Sequence, residues 1–452
     1  MRRSLGNLNR LACAVIAVAL ACAAIPAGAV SLIRDAETEA VLRRIADPIF
    51  SAARLDPGSI DIYIINDPQL NAFVAGGQNL FVNTGLILQA EKPEELAGVI
   101  AHETGHIAGG HLSRMAQAQQ QAGIPLIAGM LLGAAAAVAG APELGQALMA
   151  GGATVGQRGL LKFSRSQEQS ADQAAVTYLA ANQMSPEGLL EFFHILENQN
   201  LRISRDGNEY LRTHPLTQDR INFLEQQVAK SPYKAAEADP ALYPAYDRVV
   251  AKLDGFLDNP AQVIQRRKSD SVPDRYARAI AYYRVPDTKN ALSLVDGLIK
   301  DYPHDPYFYE LKGQILFENG QIAESIAPNR EALRYRPDSP LIRLGLARSL
   351  MESGNDKDLP EAAALLHEVV RLEPDNPGPW RFLGIVEGRL GNEGASALAL
   401  TEQAVLVQNR KDAQLYLNRA KQFIGPDDPD WYRLQDLERA TEDIEEPPPR
   451  RR

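Results

Sequence analysis

Cysteine is nearly absent from this chain. Of its 452 residues only Cys13 and Cys22 are cysteines, and both lie in an apolar N-terminal stretch. The rest of the chain therefore cannot form disulfides, offer thiolate ligands to a metal or use a cysteine nucleophile. A metal site in that part must be built from histidine and carboxylate side chains.

The chain also lacks an excess of basic residues. Its formal net charge is −10, and the C-terminal cluster Arg450-Arg451-Arg452 is short. Proteins that bind nucleic acid in general present a basic patch, so the composition argues for a chain with no nucleic-acid partner. The length suffices for two or three domains, each with its own hydrophobic core.

Long apolar runs are few, and the first one is N-terminal. Arginines precede an apolar run from Leu11 to Ile25, and Ala27-Gly28-Ala29 follows as a small-residue cleavage site. This order is typical of a secretory signal peptide, which we place at residues 1–29, so we expect an exported protein that begins near Val30. An uncleaved membrane anchor is the alternative, although the run is short for a membrane span.

One short segment carries the residue types that bind zinc. His102 and His106 are four residues apart, and a helix that begins near Pro93 would put both imidazoles on one face. Glu103 follows the first histidine and could act as a base toward the attacking water. This HExxH spacing is the signature of zinc metalloproteases, although a buried histidine is often only a hydrogen-bonded core residue.

A second helix could supply a carboxylate ligand. Glu168 and Asp172 are four residues apart, behind Ser166 as a helix cap. We predict Glu168 as the third zinc ligand, which leaves one coordination position open. Asp172 is suited to hold His102 or His106 by its second ring nitrogen. The alternative is a solvated helix face.

His214 precedes Pro215, which restricts its backbone to an extended conformation. Two functional roles remain open for this side chain. It could donate a hydrogen bond to the oxyanion of the tetrahedral intermediate, or act as a fourth ligand that keeps the enzyme latent. A structural role in capping the loop is the third alternative.

Residues 124–150 form the second apolar region. The run Ile124 to Ala141 is uncharged and long enough for a transmembrane helix, but Pro125 and several glycines interrupt it. We expect a helical hairpin that covers the active site or touches a membrane surface, with a true span as the alternative.

The N-terminal third predicts one helix and a small antiparallel sheet. Apolar residues at helical spacing favour a helix from Ala36 to Ala53, and three strand-like runs follow between Ile60 and Asn83. Zinc proteases commonly bind an extended substrate at a sheet edge, which we expect within Phe73 to Val82.

The C-terminal part has an internal repeat. Pro303, Pro337 and Pro374 recur at intervals of 34 and 37 residues, and each opens a similar phrase before helical apolar patterns. This period is typical of tetratricopeptide repeats, and about four units fit between residues 277 and 423. Such an array binds peptides or protein segments on its concave surface. We expect repeats over residues 266–430 and a disordered acidic, proline-rich tail over 431–452.

The motifs together resemble the M48 family of zinc metallopeptidases. The segment His102 to His106 is similar to the HExxH of this family, Glu168 to Asp172 to its ExxxD, and Thr213-His214-Pro215 to its later His-Pro element. The match extends over residues 35–230. One departure is Phe163, which stands where the family often has tyrosine and leaves the ligands unaffected.

This resemblance implies an α+β zincin-like domain over residues 30–265, mostly helical with a small antiparallel sheet, before an all-α repeat solenoid. It implies one zinc ion held by His102, His106 and Glu168, with Glu103 as the catalytic base. His111 lies five residues after His106, where metzincins need six, so we leave it outside the ligand set.

The signal peptide, zinc peptidase and repeats in one chain resemble periplasmic M48 peptidases of envelope quality control. That resemblance implies misassembled outer-membrane proteins as substrates and the β-barrel assembly machinery as the partner of the repeats, with peripheral membrane contact. A chaperone or adaptor that acts through its repeats and keeps a latent zinc site is the alternative.

Overall fold

The computed structural model describes residues 31–115, 117–118, 150, 164–202 and 209–445. Within them, the predicted fold class is confirmed: a mostly helical α+β domain with a small sheet precedes a series of helical hairpins. The signal peptide at 1–29 and the apolar hairpin at 124–149 lie outside the described residues. In the described part, no helix is both long and apolar enough to cross a membrane.

The sheet has four strands: β1 (Leu32–Ile33), β2 (Ile62–Ile65), β3 (Ala72–Ala75) and β4 (Asn79–Asn83). Their spatial order is β1-β2-β4-β3.

The sheet is mixed and not wholly antiparallel as predicted, because β2 and β4 run parallel. The connection over residues 66–71 is long enough for β3 to skip one position in the sheet. β4 then returns through a tight turn, in which Gly76 and Gly77 have positive φ values of 58° and 100°, and fills the gap. β4 is therefore internal, and within the predicted substrate edge only β3 is an edge strand.

Eight helices of the described residues surround this sheet. They are α1 (Ala36–Ala52), α2 (Thr84–Gln89), α3 (Pro93–Ala108), α4 (residues 164–181), α5 (Glu187–Arg202), α6 (Glu209–Thr213), α7 (Gln218–Lys230) and α8 (Leu242–Leu257). Asp35 caps α1 by accepting a hydrogen bond from the Thr38 amide, and α3 begins with Pro93 and two glutamates, as predicted. A single core joins α1, the sheet, α3, α5 and α8.

Glycines allow α3 to pack closely against its neighbours. A Cβ atom on Gly98 would lie 2.6 Å from the backbone nitrogen of Leu189 in α5, and one on Gly105 would lie 3.0 Å from the Cα atom of Ala171 in α4. The contact at Gly105 brings α4 against the C-terminal half of α3, where the HExxH histidines are located.

The repeat region continues the chain with α9 (Pro260–Arg266), α10 (Val272–Arg284), α11 (Thr288–Asp301), α12 (Pro306–Glu318), α13 (Ile322–Tyr335), α14 (Pro340–Glu352), α15 (Leu359–Leu372), α16 (Pro377–Arg389), α17 (Glu393–Leu406) and α18 (Arg410–Ala420). The helices from α10 to α17 form four antiparallel pairs, as the period predicts. The extra residues of the second unit form a 3₁₀ turn at Asp356–Asp358 between α14 and α15.

The predicted disorder from residue 431 onward is wrong for its first part, because Trp431–Asp443 forms a helix, α19. Leu434 and Leu437 of α19 are buried against Leu417 of α18. The acidic composition of the segment obscured this apolar face, which is only one stripe of the helix. Residues 446–452 lie outside the described part of the chain.

Candidate metal centre

Helix α3 presents His102 and His106 side by side in the interior of the domain. Their Nε2 atoms are 3.1 Å apart, and His102 is fully buried while His106 is 8% exposed. The spacing of one helical turn thus places the two imidazole rings on one face, as predicted.

Helix α4 brings the carboxylate of Glu168 to the same point. Its two oxygens each lie 3.5 Å from an Nε2 atom, one of His102 and one of His106. Together with His214, these residues offer four ligand atoms that all lie within 4.8 Å of one another.

His214 reaches this cluster from the loop after α6. Its Nδ1 atom lies 3.4 Å from Nε2 of His102 and 3.3 Å from the Glu168 carboxylate. The ring stacks on Tyr210, with centroids 4.7 Å apart, and the His214 amide donates to the Tyr210 carbonyl at 2.7 Å. These contacts hold the imidazole toward the other two histidines and away from the loop surface.

Glu103 is also buried in this site. Neither of its carboxylate oxygens has a hydrogen-bond partner, and Nε2 of His214 lies 3.5 Å from one of them. Burial raises the pKa of this carboxyl, against the opposing effect of His214 and His102. An unpartnered buried carboxylate is costly, so this arrangement indicates a functional group and not a packing residue.

Asp172 lies one turn after Glu168. Of the two histidines that the sequence suggests as its partner, it contacts His102. Its Oδ1 atom is 2.9 Å from Nδ1 of His102. Burial alone would lower the pKa of His102, but the carboxylates of Asp172 and Glu168 raise it to about 9. The carboxylates thus make the site favourable for positive charge.

Arg220, at the start of α7, was missed by sequence analysis. Its guanidinium donates to both oxygens of Asp172, at 2.7 and 2.8 Å, and one of its nitrogens lies 3.0 Å from Glu168. It shares the buried face of α7 with Leu224 and Val228, so a charged residue on an apolar face was the available signal. Burial raises the pKa of Asp172, but the hydrogen bonds and the charge of Arg220 lower it below its ordinary value.

The donor set fits a zinc ion. Zn²⁺ in proteins is bound by imidazole nitrogens and carboxylate oxygens in groups of three or four, which is what these residues offer. Burial opposes ionisation of Glu168, but hydrogen bonding from His102 and His214 holds the pKa of its carboxyl well below the usual range, which suits this side chain to bind a cation. His102, His106 and Glu168 are the residues that would hold the ion, with His214 beside them.

Family comparisons agree with this geometry. The model of peptidase family M48 matches residues 33–228, and a tetratricopeptide-repeat model matches residues 276–340.

Similar proteins share both parts of the chain. The beta-barrel assembly-enhancing protease of Yersinia pestis is 25% identical over 351 residues, which are 76% of this chain and 71% of that protein. The protein of the same name from Escherichia coli K12 is 23% identical over 412 residues, 87% of this chain and 83% of that protein.

A third relative is similar to less than half of the chain. The mitochondrial metalloendopeptidase OMA1 of Schizosaccharomyces pombe is 24% identical over 202 residues, or 45% of this chain and 56% of that protein. Protease relatives imply protein substrates, and the repeats indicate protein interaction. The region 33–228 is therefore an M48 peptidase domain, and the chain is a metallopeptidase that carries tetratricopeptide repeats.

Proposed function

We propose that this protein is a zinc-dependent endopeptidase of the bacterial periplasm that removes misassembled outer-membrane proteins and aids their assembly. The main observation in support of peptidase activity is that His102, His106 and Glu168 lie together beside the carboxylate of Glu103, which has no hydrogen-bond partner. A buried site of nitrogen and oxygen donors without thiolates suits zinc.

Zinc, when bound, supplies a Lewis acid that polarises the scissile carbonyl and lowers the pKa of water. Glu103 accepts the proton of the attacking water and delivers it to the leaving amine. The raised pKa of its carboxyl suits both steps, because the group can hold the proton between them. Asp172 holds His102 in place and is in turn held by Arg220.

Strand β3 is the proposed docking site for substrate. It is an edge strand of the sheet and packs against α3, which carries the histidines. An extended polypeptide that pairs with this edge would add a strand to the sheet, with its main chain alongside the metal centre.

His214 is the proposed regulator of the site. Its Nδ1 atom lies close to His102 and Glu168, and a ring nitrogen of His214 groups with the three proposed ligand atoms within 4.8 Å. This placement favours the role of a fourth ligand in a latent enzyme over that of an oxyanion donor. A fourth protein ligand fills the position that a catalytic zinc site keeps open. Withdrawal of His214 would then activate the peptidase.

The role in the envelope rests on three supports: the predicted signal peptide, the tetratricopeptide repeats, and the names of the Yersinia and Escherichia relatives. The repeats would dock on the β-barrel assembly machinery or on its clients, and residues 124–149 would make peripheral membrane contact.

Substitution of Glu103 by glutamine tests the enzymatic part. We expect Glu103→Gln to keep zinc, because it removes no ligand, and to lose casein cleavage by at least about 10²-fold. Glu91→Gln, which changes an exposed glutamate just before α3, is the matched control and should cleave as the wild type does. Equal cleavage by Glu103→Gln and wild type would refute this site as the catalytic one.

A complementation experiment tests the cellular part. In a host strain that lacks the gene, unassembled outer-membrane β-barrel proteins should accumulate, and wild type but not Glu103→Gln should clear them. Full clearance by Glu103→Gln would instead establish the chaperone or adaptor function, in which the repeats act without peptide hydrolysis.

A further inference from the structure

His111 lies close to the metal centre although it is outside the predicted ligand set. Helix α3 ends at Ala108, and the chain turns through Gly109 and Gly110, whose φ is 60°. The His111 side chain then folds back under α3. Its Nδ1 atom lies 3.0 Å from Nδ1 of His106, and the residue is only 5% exposed.

The turn before His111 is shaped around this imidazole. A Cβ atom on Gly109 would lie 2.4 Å from Nε2 of His111, so a side chain at position 109 would displace the ring. The side-chain amide of Gln167, the neighbour of Glu168 in α4, donates to the His111 carbonyl at 3.1 Å. The ring is thus held against the end of α3, and the backbone of the same residue is held by α4.

The two nitrogens of His106 face different partners. Nε2 points to His102 and Glu168, whereas Nδ1 points to His111. An imidazole that binds a metal through Nε2 carries its proton on Nδ1, and that N–H needs an acceptor. The atom it faces is Nδ1 of His111, which must therefore hold a lone pair, with the His111 proton on Nε2.

We propose that His111 is a positioning residue that fixes the tautomer and the ring orientation of His106 for zinc binding, as Asp172 does for His102. The inference rests on the proposed zinc site. Each of the two histidines on α3 then has its own acceptor, a carboxylate from α4 for His102 and a neutral imidazole from the turn after α3 for His106.

Two substitutions separate hydrogen bonding from packing. His111→Asn places a carbonyl oxygen near the position of Nδ1 and keeps the acceptor, while His111→Leu fills similar space without one. His194→Leu, which alters a histidine of α5 whose side chain is 46% exposed, is the matched control. His111→Phe replaces His111→Leu if the latter does not fold.

The measurement is the zinc dissociation constant of the full chain, by competition with a chromogenic chelator, together with the unfolding temperature of the metal-free protein. We expect His111→Leu to weaken zinc binding by about 10- to 100-fold. His111→Asn and His194→Leu should stay close to wild type, and all metal-free proteins should unfold at similar temperatures.

Wild-type zinc affinity in His111→Leu, or equal losses in His111→Leu and His111→Asn, would overturn the proposal, since the acceptor would then be irrelevant. A wild-type protein that binds no zinc would overturn the proposed function itself. The two failures are therefore distinguishable.

Discussion

The buried side chain of Arg220 determines how the two acidic residues of α4 are oriented. It contacts both Asp172 and Glu168, and its guanidinium lies over the Phe193 ring at 4.7 Å. Arg220 is 3% exposed and Asp172 is fully buried. Loss of one partner from such a pair leaves the other charge buried and unpaired, which costs more than the pair contributes.

We therefore expect Arg220→Met to lower the free energy of unfolding of the metal-free protein by about 3 to 5 kcal/mol. Denaturant unfolding measures it. The control is Arg419→Met, whose exposed ion pair with Glu393 should contribute little. Similar stability losses in the two variants would show that the Arg220 contacts are no stronger than a surface pair.

The sequence predicted the residues whose geometry is local. His102 and His106 lie on one helix, as do Glu168 and Asp172, so helical spacing alone sets each pair on one face. The contacts of Arg220, Tyr210 and His111 could not be predicted, because they depend on how α4, α6 and α7 pack around α3.

At the scale of elements, the crossing of α3 and α5 depends on small residues. A Cβ atom on Gly98 would lie 2.6 Å from the Leu189 backbone nitrogen, so the two helices contact each other through their main chains. The relative direction of β2 and β4 is the feature of the sheet that differs from the prediction. Alternation predicts the strands of the sheet, but the parallel pairing of β2 and β4 follows from the connection between them.

Gly98→Ala should destabilise the protein by about 1 to 3 kcal/mol, because the added methyl group forces α3 and α5 apart. Gly297→Ala, in the middle of α11, meets no atom closer than 3.8 Å and is the matched control. It should stabilise by about 0.5 to 1 kcal/mol, since alanine is the better helix former.

The denaturant midpoints of the two alanine variants, each compared with wild type, test this expectation. The comparison is matched because both changes add the same methyl group inside a helix. A stabilising Gly98→Ala would mean that α3 and α5 do not cross as closely as described.

At the scale of the whole molecule, buried charges join the peptidase domain to the repeats. Arg248 of α8 contacts Glu37 of α1 and Asp305 before α12, both at 2.5 Å. Tyr276 of α10 donates to Glu37 at 2.9 Å. These contacts connect the repeats to the domain that carries the candidate metal centre, so a protein that docked on the repeats would lie at a defined position relative to that centre.

We expect Glu310 of α12 to make this junction sensitive to pH. One of its carboxylate oxygens is buried without a hydrogen-bond partner, and Lys252 lies 3.9 Å away. Burial raises the pKa of Glu310 to about 8, Lys252 opposes the rise, and the carboxylates of Asp35, Glu37 and Glu39 add to it.

The unfolded chain loses the Glu310 proton near the ordinary pKa of 4.5, whereas the folded protein keeps it up to about pH 8. The contribution of this group to stability is therefore greatest at low pH and falls between about pH 5 and pH 8. Glu310→Gln has no carboxyl group to titrate, so it should lack this loss of stability. The difference in stability between Glu310→Gln and wild type should therefore be larger at pH 8 than at pH 5.

Thermal unfolding at the two pH values checks this expectation. Glu324→Gln, a change at an exposed glutamate of α13, should follow the wild-type dependence at both values. A Glu310→Gln protein whose stability runs parallel to wild type from pH 5 to pH 8 would contradict a titration of Glu310 in this range.

The whole molecule is proposed to be a latent metallopeptidase, and the initial rate of casein cleavage at equal zinc occupancy tests this most directly. Wild type, Glu103→Gln and His214→Ala are compared. We expect no cleavage by Glu103→Gln and faster cleavage by His214→Ala than by wild type, because removal of the imidazole opens the coordination position. A His214→Ala rate no higher than that of wild type, or cleavage by Glu103→Gln at the wild-type rate, would contradict the proposal.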